Sequence, residues 1–273
     1  MADLATRVNI FADDASLGSA LARTIADRIQ ARLDAGETFL LGCPGGRTPV
    51  TTFDALADEL ATRELDLRGL VIAMMDDYVI ADGDSWRAVD ADAHNSCRRF
   101  AREDIQGVLN RGISRGHQIP DENVWFPDAA QPAAYDGRLS AAGGIDFFIL
   151  ASGAGDGHVA FNPPGAVRGS RTRVVELAEQ TRRDNLATFP DFGGLDEVPT
   201  HGVTVGIATI AEQSREAAMI LVGADKKLAY ERLTTVETYD PSWPATVYLL
   251  IDNAQLLVDA AAAPHSALGI TAP

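Results

Sequence analysis

The sequence predicts an α/β fold, a mostly parallel sheet covered by helices on both faces. Short apolar runs of strand length alternate with longer stretches whose apolar residues recur at helical spacing. The chain has 273 residues, 46% hydrophobic and 23% charged, enough for a substantial core. It shows no internal repeat, low-complexity segment or linker, so residues 1–273 are expected to form a single domain.

The elements follow in order. "RVNIFA" reads as a first strand. From Asp14 to Leu33, Leu17, Leu21, Ile25 and Ile29 keep helical spacing, and Gly36 supplies a stop. "TFLLGC" is a second strand, and Pro49 suits the first turn of a helix running to about Glu64. "GLVIAMM" is a strand that ends at Asp76, and a helix is expected from about Ala93 to Leu109. "NVWFP" is short and extended, Pro132 to Ala142 helical, and "IDFFILA" a strand. "EQTRRDNLATF" reads as a short helix, and "HGVTVGIATI" as strand-like, leading into a turn. "EAAMILVG" is a strand and "ADKKLAYERLT" a helix; "ATVYLLID" is expected as the last strand and "NAQLLVDAAAA" as the last helix. Ile80 to Asp92 and Asp191 to Pro199, rich in Gly, Asp and Pro, read as mobile loops or lids.

Net charge is −16. An acidic surface of that size argues against non-specific binding to nucleic acid or to anionic membranes. It leaves room for a small basic pocket and an anionic substrate. Two cysteines, Cys43 and Cys97, form no C-x-x-C pair and no disulfide framework, which suits a reducing, cytoplasmic compartment. The N-terminal stretch lacks the basic and apolar regions of a signal peptide, and no apolar run approaches the roughly 20 residues that span a bilayer.

In open parallel sheets, ligands bind at the carboxyl ends of the strands. Four strand-end loops carry candidate chemistry. "GCPGGRTP" exposes backbone N–H groups just before a helix, either as a tight turn or as an anion cradle, with Arg47 adding a fork suited to phosphate. It is no Walker A loop, since no Lys-Ser/Thr follows. In "MMDDYV", Asp76 and Asp77 follow a strand directly, as solvated acids or as a base aimed into a site. "GAGDGH" fails as a dinucleotide fingerprint because His158 stands at the third glycine position, and it offers too few ligands for a metal. A general acid/base histidine held by its neighbours is the better chemical reading of that turn. In "VGADKK", Lys226 opens a helix at its positive end, as a solvated lysine or as one compensated by a bound anion.

These segments together resemble the glucosamine-6-phosphate deaminase (isomerase) family, which shares its fold with the 6-phosphogluconolactonases. "LGCPGGRTPVTTF" resembles the family's phosphate loop, "MMDDYV" its strand-end Asp-Glu-Tyr, and "GAGDGHVAFNPPG" its D-G-H-x-A-F-N-E-P signature. "SRTRVVELAEQTRRDN", "VPTHGVTVGIATI" and "ILVGADKKLAY" continue in order, so the match runs nearly end to end. The resemblance implies a Rossmann-like fold of the glucosamine-6-phosphate deaminase/ribose-5-phosphate isomerase type. It implies Asp76 as the base that moves a proton between C1 and C2 of an open-chain sugar. His158 would open the pyranose ring, with Asp156 orienting it. Lys226 and the loop Gly45, Gly46, Arg47 and Thr48 would receive a phosphate. No metal or organic cofactor is implied; the partner is a small sugar phosphate, and a homo-oligomer is compatible with the family.

Two positions depart from the pattern. Where the deaminase signature has Glu after F-N, this chain has Pro163, which has no side chain that can titrate. Where the family has a phosphate-binding arginine, Ala187 stands, with Arg182 and Arg183 nearby. Lactonases of the superfamily keep D-G-H without the Glu, and "GGRTP" and "HNSCRRFARED" lean toward them. The long block from "SRTRVVELAEQTRRDN" to "VPTHGVTVGIATI" and the "AFN" step are deaminase-like, so the expected activity is an aldose–ketose isomerase or deaminase acting on a phosphorylated amino sugar. The alternatives are a 6-phosphogluconolactonase-like hydrolase, or an isomerase of a different sugar, phosphorylated or not.

Overall fold

A computed structural model describes residues 7–263. Seven parallel strands form the central sheet in the order β1-β11-β10-β7-β2-β3-β6. They are β1 Val8–Phe11, β2 Phe39–Cys43, β3 Leu70–Met74, β6 Val124–Trp125, β7 Ile145–Ala151, β10 Ser214–Leu221 and β11 Ala254–Asp259. The α/β expectation holds, with one addition. A separate antiparallel sheet, β5-β4-β9-β8, is made by β4 Asp76–Asp82, β5 Ser85–Ala88, β8 Arg173–Glu176 and β9 His201–Thr204.

The central strands are buried on both faces, so their side chains divide between two cores by period-two alternation. Phe39, Leu41, Leu70 and Ile72 pack with the helices Asp14–Asp34 and Val50–Thr62. Leu40, Val71, Phe148 and Leu150 face the other layer, with Leu139, Ile207, Ala229 and Leu233. Each fully buried aliphatic side chain contributes about 1.5–3 kcal/mol. The first helix starts where a capping box allows: Asp13 accepts from Ser16 N at 2.8 Å, and Asp13 N donates to Ser16 Oγ at 3.2 Å.

Several local expectations are corrected. Ala245–Asp252 was to be the last strand and Asn253–Ala263 the last helix. Instead Pro244–Leu250 is a buried 3-10 helix and Ala254–Asp259 is β11, a strand between β1 and β10. Leu and Ala favour helix only weakly, and a vacant slot between two parallel strands overrides that preference. Residues 80–92 contain the β4–β5 hairpin, which turns at Gly83 and Asp84, rather than a loop throughout. The turn expected at the end of "HGVTVGIATI" is the start of a helix, Ile207–Gln213. The helix expected from Ala93 begins at Cys97, capped by Ser96 Oγ, and winds through a π-helical stretch, Ala101–Gln106, before Gly107–Leu109.

Among the described residues, no helix is long and apolar enough to cross a membrane.

Candidate active site

The four loops singled out above leave β2, β3, β7 and β10. These strands are consecutive in the sheet, in the order β10-β7-β2-β3. Strands added after β2 run outward one way and those after β7 the other, so the loops converge where connections reverse direction, the usual ligand crevice of an open α/β sheet. A cavity of about 440 Å³ opens there. Gly45, Gly46, Arg47, Thr48, Asp76, His158 and Lys226 all line it, whereas Asp156 stands behind His158.

Asp76 and Asp77 are separated by the pleat of β4. Asp76 lines the cavity, and its one side-chain hydrogen bond among the described residues is a long one, from Cys97 Sγ at 3.9 Å. Asp77 points away and is fully buried, with Oδ2 accepting from Arg98 Nε at 2.9 Å. Burial, and next the Asp77 charge, push Asp76 up to about 7, only partly offset by the Cys97 thiol. Burial likewise raises Asp77 to about 6 against the pull of Arg98. A carboxyl poised near neutrality on a cavity wall can take and return a proton.

The turn after β7 folds tightly around its histidine. Gly153 N donates to His158 O at 2.7 Å. Asp156 Oδ1 lies 2.7 Å from His158 Nδ1 and accepts from His158 N at 3.1 Å. Thr181 Oγ1 donates to Asp156 Oδ2 at 3.2 Å. Burial opposes ionisation of Asp156, but the bond to His158 and the charge on that ring hold its carboxyl below the ordinary range. Two glycines are required here. A Cβ on Gly153 would fall 2.3 Å from His158 Nδ1. Gly157, at φ +66°, would put one 2.2 Å from the Trp243 ring. The 3-10 helix Pro244–Leu250 clamps the same turn, Ala245 N donating to Gly157 O at 2.8 Å.

Lys226 reaches in from the end of β10 and donates from Nζ to Ser152 O at 2.8 Å. Burial lowers its pKa, while the carboxylates of Asp225, Asp184 and Asp156 favour its charged form. The helix Glu179–Thr188 closes another wall. Its residues Asp184, Asn185 and Thr188 line the cavity, and Thr181 braces the Asp156–His158 pair, so the stripe at i, i+3, i+4 and i+7 is polar. Sequence reasoning missed that stripe and weighed its neighbours. Arg182 turns to the carbonyls of Leu195 and Val198, and Arg183 pairs with Glu179; neither lines the cavity. Tyr78 and Phe161, which lie inside the family-like segments but were given no role, and Cys97 also line the cavity.

Among the described residues, the one set with metal-ligand spacing is Asp156, His158 and Asp184, each offering an atom within 4.8 Å of the others. The bond from His158 Nδ1 to Asp156 fits an oriented acid/base imidazole without a metal.

The model of the family described as glucosamine-6-phosphate isomerases/6-phosphogluconolactonase matches residues 12–257. A glucosamine-6-phosphate deaminase of Beutenbergia cavernae is 34% identical over 256 residues, covering 93% of this chain and 90% of that protein. One from Mycolicibacterium smegmatis is 34% identical over 259 residues, covering 94% and 91%. Among solved structures, a monomeric glucosamine-6-phosphate deaminase superposes with a TM-score of 0.78 at 25% identity, over 94% of this chain and 98% of that one. The 6-phosphogluconolactonase of Trypanosoma brucei shares the fold, with a TM-score of 0.66 at 22% identity over 93% and 96%.

Proposed function

The chain belongs to the family of glucosamine-6-phosphate isomerases and 6-phosphogluconolactonases, and from that premise we propose that it is an aldose–ketose isomerase of amino sugars that releases ammonia. One observation carries the reading: Asp76, raised to about 7, shares a cavity with His158, which is held by Asp156 behind it. Isomerisation needs a carboxylate beside a carbon acid and a separate proton donor at the ring oxygen. His158, oriented by Asp156, gives a proton to the ring oxygen as the pyranose opens. Asp76 takes the C2 proton of the open-chain aldose and returns it to C1. Water then adds to the C2 imine so formed, and the nitrogen leaves as ammonia. Gly45, Gly46, Arg47, Thr48 and Lys226 receive the end of the sugar remote from C1. The reading treats the chain as one domain, supported by a family match that extends from residue 12 to residue 257.

Pro163 favours a second reading. Without a carboxylate at that position, His158 would serve as general base on water, and the reaction would be lactone hydrolysis.

The test is to offer the protein glucosamine and glucosamine 6-phosphate, following ammonia and ketose, beside 6-phosphogluconolactone, following acid. Ammonia release that disappears in Asp76→Asn supports the isomerase; acid release alone replaces it with the lactonase.

A further inference from the structure

The charge balance of the cavity differs from what a doubly charged substrate end would need. Four carboxylates line it, Asp14, Asp76, Asp184 and Asp225, against the cations Arg47 and Lys226 and the histidine His158. Lys226 commits one of its three donors to Ser152 O and is already compensated by the carboxylates of Asp225, Asp184 and Asp156. The helix beside it brings a negative charge and no positive one, since Arg182 holds backbone carbonyls and Arg183 pairs with Glu179. Asp184 Oδ1 accepts from Gln180 Nε2 at 2.9 Å in an exposed bond, and an oxygen of its carboxylate lies within 4.8 Å of ligand atoms of Asp156 and His158.

We infer that Asp184 is a specificity-determining residue that disfavours a phosphate ester beside Lys226 and favours an amino sugar whose remote end is an uncharged hydroxyl. The inference rests on the isomerase reading for the chemistry at C1 and C2 and adds the class of substrate. A phosphate contacting Lys226 would share the cavity with Asp184 and Asp225, whose like charges would lower its affinity. A hydroxyl meets no such cost. The same helix face offers it an acceptor in Asp184 and the hydroxyl of Thr188.

The experiment is calorimetric titration of the full-length protein with 2-amino-2-deoxy-glucitol and with its 6-phosphate, open-chain probes that cannot turn over. The wild type should bind the unphosphorylated alditol about tenfold or more tightly than the ester. Asp184→Asn should gain about tenfold or more for the ester and little for the other probe. Asp184→Ser repeats the measurement if the amide repacks. A wild-type preference for the ester, with a ratio that Asp184→Asn leaves unchanged, overturns the inference and spares the isomerase reading. Binding of neither alditol overturns both.

Discussion

His158 Nδ1 lies 2.7 Å from Asp156 Oδ1. The contact holds the imidazole in one orientation and assigns Nδ1 to the carboxylate, which leaves Nε2 for substrate. Asp156→Asn keeps the shape and removes the charge. It should lower kcat by ~10²–10⁴ with a much smaller change in KM. Steady-state kinetics on ammonia release check this, and an unchanged kcat would remove the pair from the mechanism.

On the proposed mechanism, Asp76 and Asp77 together should set the acid limb of the rate profile. Protonated Asp76 cannot accept a proton, so kcat/KM should fall as pH drops through about 7. Asp77→Asn removes the like charge that helps raise Asp76, so the limb should move to lower pH. A pH–rate profile of the two proteins reads the shift; a limb that stays put would show that burial alone raises Asp76.

The same carboxyl predicts a trade of stability for activity. Asp76 has a folded pKa of about 7 against an ordinary 3.8. Its contribution is fully present below 3.8, where it is neutral in both states, and is lost as pH rises through 7. Asp76→Asn stays neutral throughout. Above pH 7 it should therefore melt roughly 2–8 °C higher than the wild type while losing isomerase activity, and the gain should vanish near pH 4. Thermal melts across that range decide it.

Gly153→Ala tests the packing of the turn. The new Cβ would fall 2.3 Å from His158 Nδ1 and 2.4 Å from Asp156 Oδ1. The pair must move, and a displacement of about 1 Å costs on the order of 10²-fold in rate. The expected result is a large loss of kcat with the fold retained by circular dichroism. Near-normal turnover would mean that the His158–Asp156 geometry is not needed.

Much of the site was legible because strand ends announce themselves. "TFLLGC", "GLVIAMM", "IDFFILA" and "EAAMILVG" are apolar runs broken by glycine or acid, and in a parallel sheet such breaks lie on one edge. Asp76, His158 and Lys226 therefore met in one cavity, as the loops suggested. The strand pattern alone left open which of Asp76 and Asp77 faces inward, because adjacent residues in a strand point to opposite sides; the resemblance singled out Asp76, and the position of β4 puts that residue on the cavity wall. The stripe Thr181, Asp184, Asn185 and Thr188 was hidden for a related reason. Polar residues at helical spacing ordinarily mark a solvated face, and nothing local says that this face lines a cavity.

The α/β alternation, the four strand-end loops and the family were readable from the chain, since each depends on local pattern: apolar period, glycine at a turn, charge at a strand end. Only the tertiary structure decided that "AQLLVD" is a strand, that "PATVYLL" clamps Gly157, and that Asp184 rather than Arg182 or Arg183 reaches the site. Those outcomes rest on contacts between residues distant in the chain, where burial and pairing outweigh a propensity of well under 1 kcal/mol per residue.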